Sequence, residues 1–166
     1  MDREEQLYVG TNKGLFCMNK EDKQTRFVLV PESKGQVWDL YHIGDEVVVA
    51  HNKGLFSVFN GTFREIKHSG VYTLVPVPSR PGYYISGNYV GLSLYEMKDG
   101  KLTFRNNISG YDDLVQNCVF DKDGNLWITH SRREYMRLRF DNDYTSIVES
   151  EIYTVPTLSL IHISEP

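Results

Sequence analysis

LYVGTNKGLF, Leu7 to Phe16, returns forty residues later as VVVAHNKGLF, Val47 to Phe56. Each copy is a short strand-like run that stops at a polar pair, turns at a glycine and resumes with two apolar residues. A third version, YISGNYVGL, runs from Tyr84 to Leu92, and a degenerate fourth, LWITHSRREY, from Leu126 to Tyr135. Aligning Gly14, Gly54, Gly91 and Arg133 gives spacings of 54−14=40, 91−54=37 and 133−91=42 residues. A period near forty built only of strand-like units predicts propeller blades, each a four-stranded antiparallel sheet. The expected fold is all-β: a partial β-propeller of about three and three-quarter blades.

Working outward, turn signals cut the chain at short intervals. Gly44-Asp45, Asn60-Gly61, Pro81-Gly82, Asp99-Gly100 and Asp123-Gly124 separate apolar or alternating segments, and Asn-Gly and Asp-Gly suit the positive φ of a tight hairpin. No window keeps a helical apolar face for three turns. One unit is predicted as Val37–Ile43, Glu46–His51, Leu55–Phe59 and Thr62–Lys67. The next is Val71–Val77, Tyr83–Gly87, Leu92–Met97 and Leu102–Asn106. A third is Leu114–Phe120, Asn125–His130, Glu134–Phe140 and Ser146–Ile152. The first unit has only three strands, near Leu7, Leu15 and Arg26. Blades are thus expected over residues 1–36, 37–70, 71–112 and 113–157. Closed propellers need roughly four to eight blades, so the fold is expected to be open, cut at both ends, with apolar terminal faces. Poor solubility or loose folding is the expected consequence; a sharp cooperative melt of a monomer would count against it.

Composition narrows the class. Of 166 residues, 40% are hydrophobic and 24% charged, as in water-soluble globular chains. Aromatics at 13% favour strands. A net charge of −4 offers no basic stripe for nucleic acid. No apolar run approaches the roughly 20 residues of a membrane span, and Met1 to Gln6 do not resemble a signal peptide. Cys17 and Cys118 fall in apolar strands of different repeats and are expected as two buried thiols rather than a disulfide. The last nine residues, LSLIHISEP (Leu158–Pro166), look like the in-frame translation of a transposase-adapter sequence used in DNA library preparation. They fit no position of the repeat and are set aside, leaving residues 1–157 as the incomplete propeller.

Chemistry is sparse. His51 and His130 share one register position, which suggests a blade-building role capping the second strand. Asp121, Asp123 and Asn125 superficially resemble a calcium loop, but Gly124 comes too early and Arg132 stands where the bidentate glutamate belongs, so a hairpin is expected. Asn60 and Asn107 begin glycosylation-like triplets, the first already explained as a turn. Trp38 and Trp127 are expected chiefly as packing between blades, with Trp38, at the start of an inner strand near the mouth, also a candidate for a ligand. No nucleophile elbow, Walker loop or zinc-spaced set occurs, so no catalytic residue, metal or cofactor is expected. In a propeller the second-to-third and fourth-to-first connections share the channel-mouth face, and loops carry function. Trp38, Lys53, Asn88, Tyr89, Arg132 and Arg133 are therefore the ligand-binding candidates, with Arg and aromatic groups suited to sugars or anions.

The units GTNKGLF (Gly10–Phe16), AHNKGLF (Ala50–Phe56) and DKDGNLWITH (Asp121–His130) resemble the two-component-regulator propeller repeat. The stretch from Leu7 to Val155 is similar to the sensor region of bacterial regulators with a three-tyrosine domain. That resemblance implies a periplasmic ligand-sensing propeller, often for glycan fragments, with a cytoplasmic location if the full protein lacks a signal peptide. It implies a following β-sandwich, often a membrane span, and an output: histidine kinase, hybrid kinase or helix-turn-helix domain. A dimeric receptor, an oligosaccharide ligand and no direct nucleic-acid contact by this segment are further implications. Arg133-Glu134 departs from the Gly-apolar pair, and no output domain is in the sequence. The rivals are a propeller enzyme acting on polysaccharides, betrayed by converging carboxylates or a His/Tyr pair, and a protein-interaction scaffold with an apolar mouth.

Overall fold

The structure, a computed structural model, describes residues 6–19, 26–59, 61–131 and 133–154. The first sheet holds β1 (Tyr8–Thr11), β2 (Gly14–Asn19) and β3 (Arg26–Leu29). The second holds β4 (Val37–Ile43), β5 (Glu46–His51), β6 (Gly54–Phe59) and β7 (Thr62–Lys67). The third holds β8 (Val71–Pro76), β9 (Tyr83–Asn88), β10 (Leu92–Lys98) and β11 (Lys101–Ile108). The fourth holds β12 (Cys118–Phe120), β13 (Leu126–Ser131), β14 (Glu134–Phe140) and β15 (Ile147–Thr154). Every sheet is an antiparallel meander in chain order. One turn of 3-10 helix, Pro31–Ser33, lies in the first connection and was not anticipated.

The sheets lean on one another through three apolar seams. Leu15, Val37, Val49, Phe56 and Val58 join blades one and two. Val48, Ala50, Leu55, Val71, Leu74, Tyr95 and Leu102 join two and three. Ile85, Leu92, Leu94, Val115, Leu126, Ile128 and Leu138 join three and four. Each fully buried branched side chain contributes about 1.5–3 kcal/mol. The inner strands β4, β8 and β12 lie side by side, the radial order of a propeller. The fold is therefore an open, partial β-propeller, as the repeat predicts.

One position sets the spacing between blades. The penultimate residue of the second strand is Gly10, Ala50 or Gly87, and the next blade's first valine packs on it. A Cβ on Gly10 would stand 2.6 Å from Val37 Cγ1, and one on Gly87 2.6 Å from the Val115 carbonyl oxygen. Only the smallest side chains let neighbouring backbones come this close.

One reading needs correction. The inner strand expected over Leu114–Phe120 is only Cys118–Phe120, because Val115 N–H donates to the Asn88 carbonyl, across the blade boundary, at 2.9 Å. Trp127 packs on Tyr153 of its own sheet, ring centroids 4.9 Å apart, on the terminal face of blade four opposite Leu126 and Ile128. The terminal faces are exposed as expected. Blade one presents Leu7, Val9 and Phe27, while blade four interleaves Val119 and Tyr135 with the Arg137–Glu151 and Arg139–Glu149 ion pairs. Both cysteines are free, and burial pushes the Cys118 thiol up to about 12. The adapter-like tail lies outside the described residues.

Candidate functional site

The turns and connections of the mouth face are laced together by backbone hydrogen bonds. Asn52 N–H donates to Gln36 O, Tyr89 N–H to Gly70 O and Gly91 N–H to Asp113 O, at 2.9–3.0 Å. The second-to-third turns of blades two and three thus clasp the blade-to-blade connections beside them, which fixes the rim there.

On this rim the inner strands carry bulges. The register of β4 against β5 jumps from Val37↔His51 to Asp39↔Ala50, and that of β8 against β9 from Val71↔Asn88 to Thr73↔Gly87. The extra, unpaired residues are Trp38 and Tyr72. A bulge re-aims the side chain of its extra residue. Here it turns both rings together, with centroids 4.8 Å apart. Tyr89, from the blade-three turn, stacks on Tyr72 at 4.5 Å and accepts a hydrogen bond from Trp38 Nε1 at 3.1 Å through its hydroxyl. Gln116, which follows Val115 as Tyr72 follows Val71, is close enough to the Tyr72 hydroxyl to act on it. Burial raises the Tyr72 hydroxyl above its usual range, and the neighbouring Tyr89 adds to the effect. Trp38 keeps 38% of its surface exposed, so the cluster is an open aromatic platform rather than core.

Gln116 also lines a cleft of about 540 Å³ with Asp113, Leu114, Asn117, Thr129, His130 and Tyr135. His130 Nδ1 lies 3.0 Å from the Tyr111 hydroxyl at its edge. Desolvation first, and Asp113 second, raise the Tyr111 pKa, so its phenol stays protonated at neutral pH. The platform and this cleft together offer flat faces for apolar ring surfaces beside amide, hydroxyl and carboxylate partners.

The sequence candidates divide accordingly. Trp38 and Tyr89 come together. Lys53 and Arg133 are exposed on the turns of blades two and four. Arg132 lies outside the described residues. Asn88 is a correction: its side chain is fully buried, accepting from Ser86 Oγ at 2.6 Å and donating to Ser93 Oγ at 2.8 Å. Ser93 is held in turn by Lys67 Nζ at 2.5 Å and donates to Asn107 Oδ1 at 3.1 Å. Asn88 therefore anchors the Tyr89 turn from below and offers a ligand nothing. Tyr72 and Gln116 were missed, although aligning Val37-Trp38, Val71-Tyr72 and Val115-Gln116 would have revealed them.

His51 fulfils the capping role. Lys53 N–H donates to its Nδ1 at 3.0 Å, which leaves the hydrogen on Nε2, 3.1 Å from the Ser33 carbonyl oxygen. His130, at the equivalent position, meets a phenol instead. Desolvation lowers the His51 pKa, the Ser33 contact opposes this, and Lys53 adds to the lowering. The folded state thus prefers neutral His51, and stability is lost as pH falls from the free-histidine value through the lower folded one. The thermal midpoint is expected to drop between about pH 7 and pH 5, and His51→Gln to flatten that segment of the profile. Asp121 and Asp141, each held at about 2 chiefly by side-chain hydrogen bonds from Asn125 and Thr145, act in a separate, lower window. Their contribution is present above 3.8 and fades towards pH 2. Asp121 takes Asp123 N–H, Asn125 N–H and Trp127 Nε1, confirming the hairpin, and no metal-ligand cluster occurs among the described residues.

No family model and no curated protein matches the chain. Solved structures do. The extracellular domain assigned to the hybrid two-component system BT4673 of B. thetaiotaomicron matches at TM-score 0.65 and 14% identity, over 94% of this chain and 22% of that one. Hydrazine synthase from Kuenenia stuttgartiensis matches at 0.62 and 12%, over 90% and 46%. The WD40 β-propeller domain of Doa1 matches at 0.59 and 16%, over 93% and 52%. The chain spans between about a fifth and about half the length of these proteins. Proteins of such different names share the architecture, and the likeness establishes the propeller fold alone.

Proposed function

We infer that this chain is the ligand-sensing propeller segment of a bacterial signal-transduction receptor, with an oligosaccharide as ligand. The observation that carries the reading is the Trp38–Tyr72–Tyr89 platform, assembled on the mouth by two bulges and a turn from blades two and three. Sugar rings present apolar C–H faces and a rim of hydroxyls, which suits stacked aromatic faces bordered by Gln116, Asp39 and tyrosine hydroxyls. The similarity to an extracellular two-component sensor domain supports the assignment to signalling and a periplasmic or otherwise external location. No helix among the described residues is long and apolar enough to cross a membrane. In this reading a β-sandwich and an output domain follow in the full receptor, which acts as a dimer. The ligand biases the receptor by binding one of its states more tightly than the other.

Titration with a panel of neutral and acidic oligosaccharides, read by tryptophan fluorescence and calorimetry, tests this. At least one glycan should perturb Trp38 emission, and Trp38→Ala should weaken its binding by about 30-fold, a hot-spot loss of about 2 kcal/mol. Absence of binding across the panel, or an affinity indifferent to Trp38→Ala, would overturn the assignment. One observation favours the polysaccharide-acting enzyme as a second reading: the Tyr111–His130 contact beside Asp113. Turnover of a glycan that is abolished by His130→Ala would establish it in place of sensing.

A further inference from the structure

The inner segments carry a second row of side chains one step further from the mouth than the aromatic platform. Asp39 follows Trp38, Thr73 follows Tyr72 and Asn117 follows Gln116. The three stand at one level. Asp39 lies opposite Ala50, Thr73 lies opposite Gly87, and the Asn117 carbonyl oxygen accepts from Thr129 N–H at 3.3 Å. Of these three only Asp39 is a carboxylate, and it is exposed. Its orientation is nevertheless fixed: Oδ1 accepts from Leu40 N–H and Oδ2 from the Tyr41 hydroxyl, both at 2.8 Å. The same hydroxyl accepts from Leu74 N–H at 2.9 Å and lies 3.4 Å from Thr73 Oγ1. The carboxylate is thereby drawn towards blade three, the direction in which Trp38 turns to meet Tyr72. No cation among the described residues pairs with it. An ionised carboxylate has about four acceptor sites. Two are taken, which leaves one on each oxygen beside the platform.

We propose that this site selects a neutral pyranose, with Asp39 accepting hydrogen bonds from two adjacent hydroxyls while a ring face stacks on Trp38. The proposal rests on the reading of the platform as a sugar site and names the class of sugar. Two adjacent hydroxyls present donors side by side, which matches the paired oxygens of a single carboxylate. Trp38 contributes its face alone, because its Nε1–H is already held by the Tyr89 hydroxyl. Thr73 and Asn117 can each donate or accept, so they meet further hydroxyls along the row. An acidic sugar would set a like charge against a carboxylate that has no cation to offset it, and such juxtaposition is a means of excluding wrong partners. Lys34 and Lys53, on the connection and the turn of this rim, are exposed and leave Asp39 unpaired.

Disaccharides that differ only in a terminal carboxylate serve as probes: galactobiose against digalacturonate, and mannobiose against dimannuronate. By calorimetry on the whole chain, a neutral member should bind about tenfold or more tightly than its acidic counterpart. Asp39→Asn keeps the shape and removes the charge. It should weaken the neutral sugar by about 30-fold, as expected for hydrogen bonds to a charged group, and leave the acidic one little changed, so that the preference collapses. Tyr41→Phe, which keeps the charge but frees the carboxylate, should give an intermediate loss. A deoxy analogue lacking one of the two hydroxyls should bind the unaltered chain as weakly as the parent sugar binds Asp39→Asn. This comparison and the neutral-to-acidic preference need no variant, so they hold even where a substitution unfolds the protein. Binding that depends on Trp38 but is indifferent to Asp39→Asn, or tighter binding of the uronates, would overturn this proposal and leave the platform a sugar site. Tighter binding of a glucosamine dimer would also overturn it, since the carboxylate would then serve an ammonium group. Absence of binding by every sugar would overturn both readings.

Discussion

Gly54→Ala is expected to lower the stability of the protein by about 3 kcal/mol, near the upper end for overpacking. A Cβ at this position would lie 2.1 Å from the Lys67 carbonyl oxygen and 3.2 Å from its carbonyl carbon. Both are backbone atoms, so no rotamer change relieves the collision, and β6 and β7 must separate where their register already shifts. The strain falls at the mouth end of blade two, beside His51 and the connection into β8. Gly61→Ala provides the contrast. Its φ of +74° is unfavourable for alanine, but nothing lies within 4 Å of the added carbon. That substitution should cost only about 1–2 kcal/mol. Urea denaturation of the two variants measures the difference, and equal midpoints would refute the close-approach argument.

Asn88→Ala should destabilise the fold by about 3 kcal/mol without removing any ligand contact. The change leaves a cavity inside blade three and strips partners from two fully buried hydroxyls. Ser86 retains the Tyr95 hydroxyl at 3.3 Å, and Ser93 loses one of its two donors and keeps Lys67. Lys67, whose pKa is lowered by burial, depends on Ser93 and Asn107 for its hydrogen bonds. Loss of stability by calorimetry, with glycan affinity per folded molecule changed far less than by Trp38→Ala, is the expected pattern. A variant of normal stability that has lost ligand binding would instead restore Asn88 as a contact residue.

The contrast between Asn88 and Tyr89 marks how far local sequence reaches. Both stand in a turn that departs from the Asn-Lys-Gly pattern, and both read as mouth residues. Whether a side chain there points down into its blade or out over the rim depends on the neighbours that the folded sheets bring to it. For Asn88 these are Ser86 and Ser93, which together with Tyr95 make a polar interior that no periodicity announces. For Tyr89 they are Trp38 and Tyr72, 51 and 17 residues away (89−38 and 89−72). Likewise His51 and His130 share a register position, yet one meets a backbone carbonyl and the other a phenol.

From sequence alone came the all-β class, the blade repeat, the hairpins and most strand limits. Glu46–His51, Thr62–Lys67 and Glu134–Phe140 match the structure residue for residue. These features are local: turn chemistry and alternation act over a few residues, and the repeat states them several times. The aromatic platform was decided only in three dimensions. Two single-residue bulges and the packing of one blade's first valine on the preceding blade's small residue bring Trp38, Tyr72, Tyr89 and Gln116 together. Such placements depend on steric fit between segments far apart in the chain, which no short window of sequence encodes.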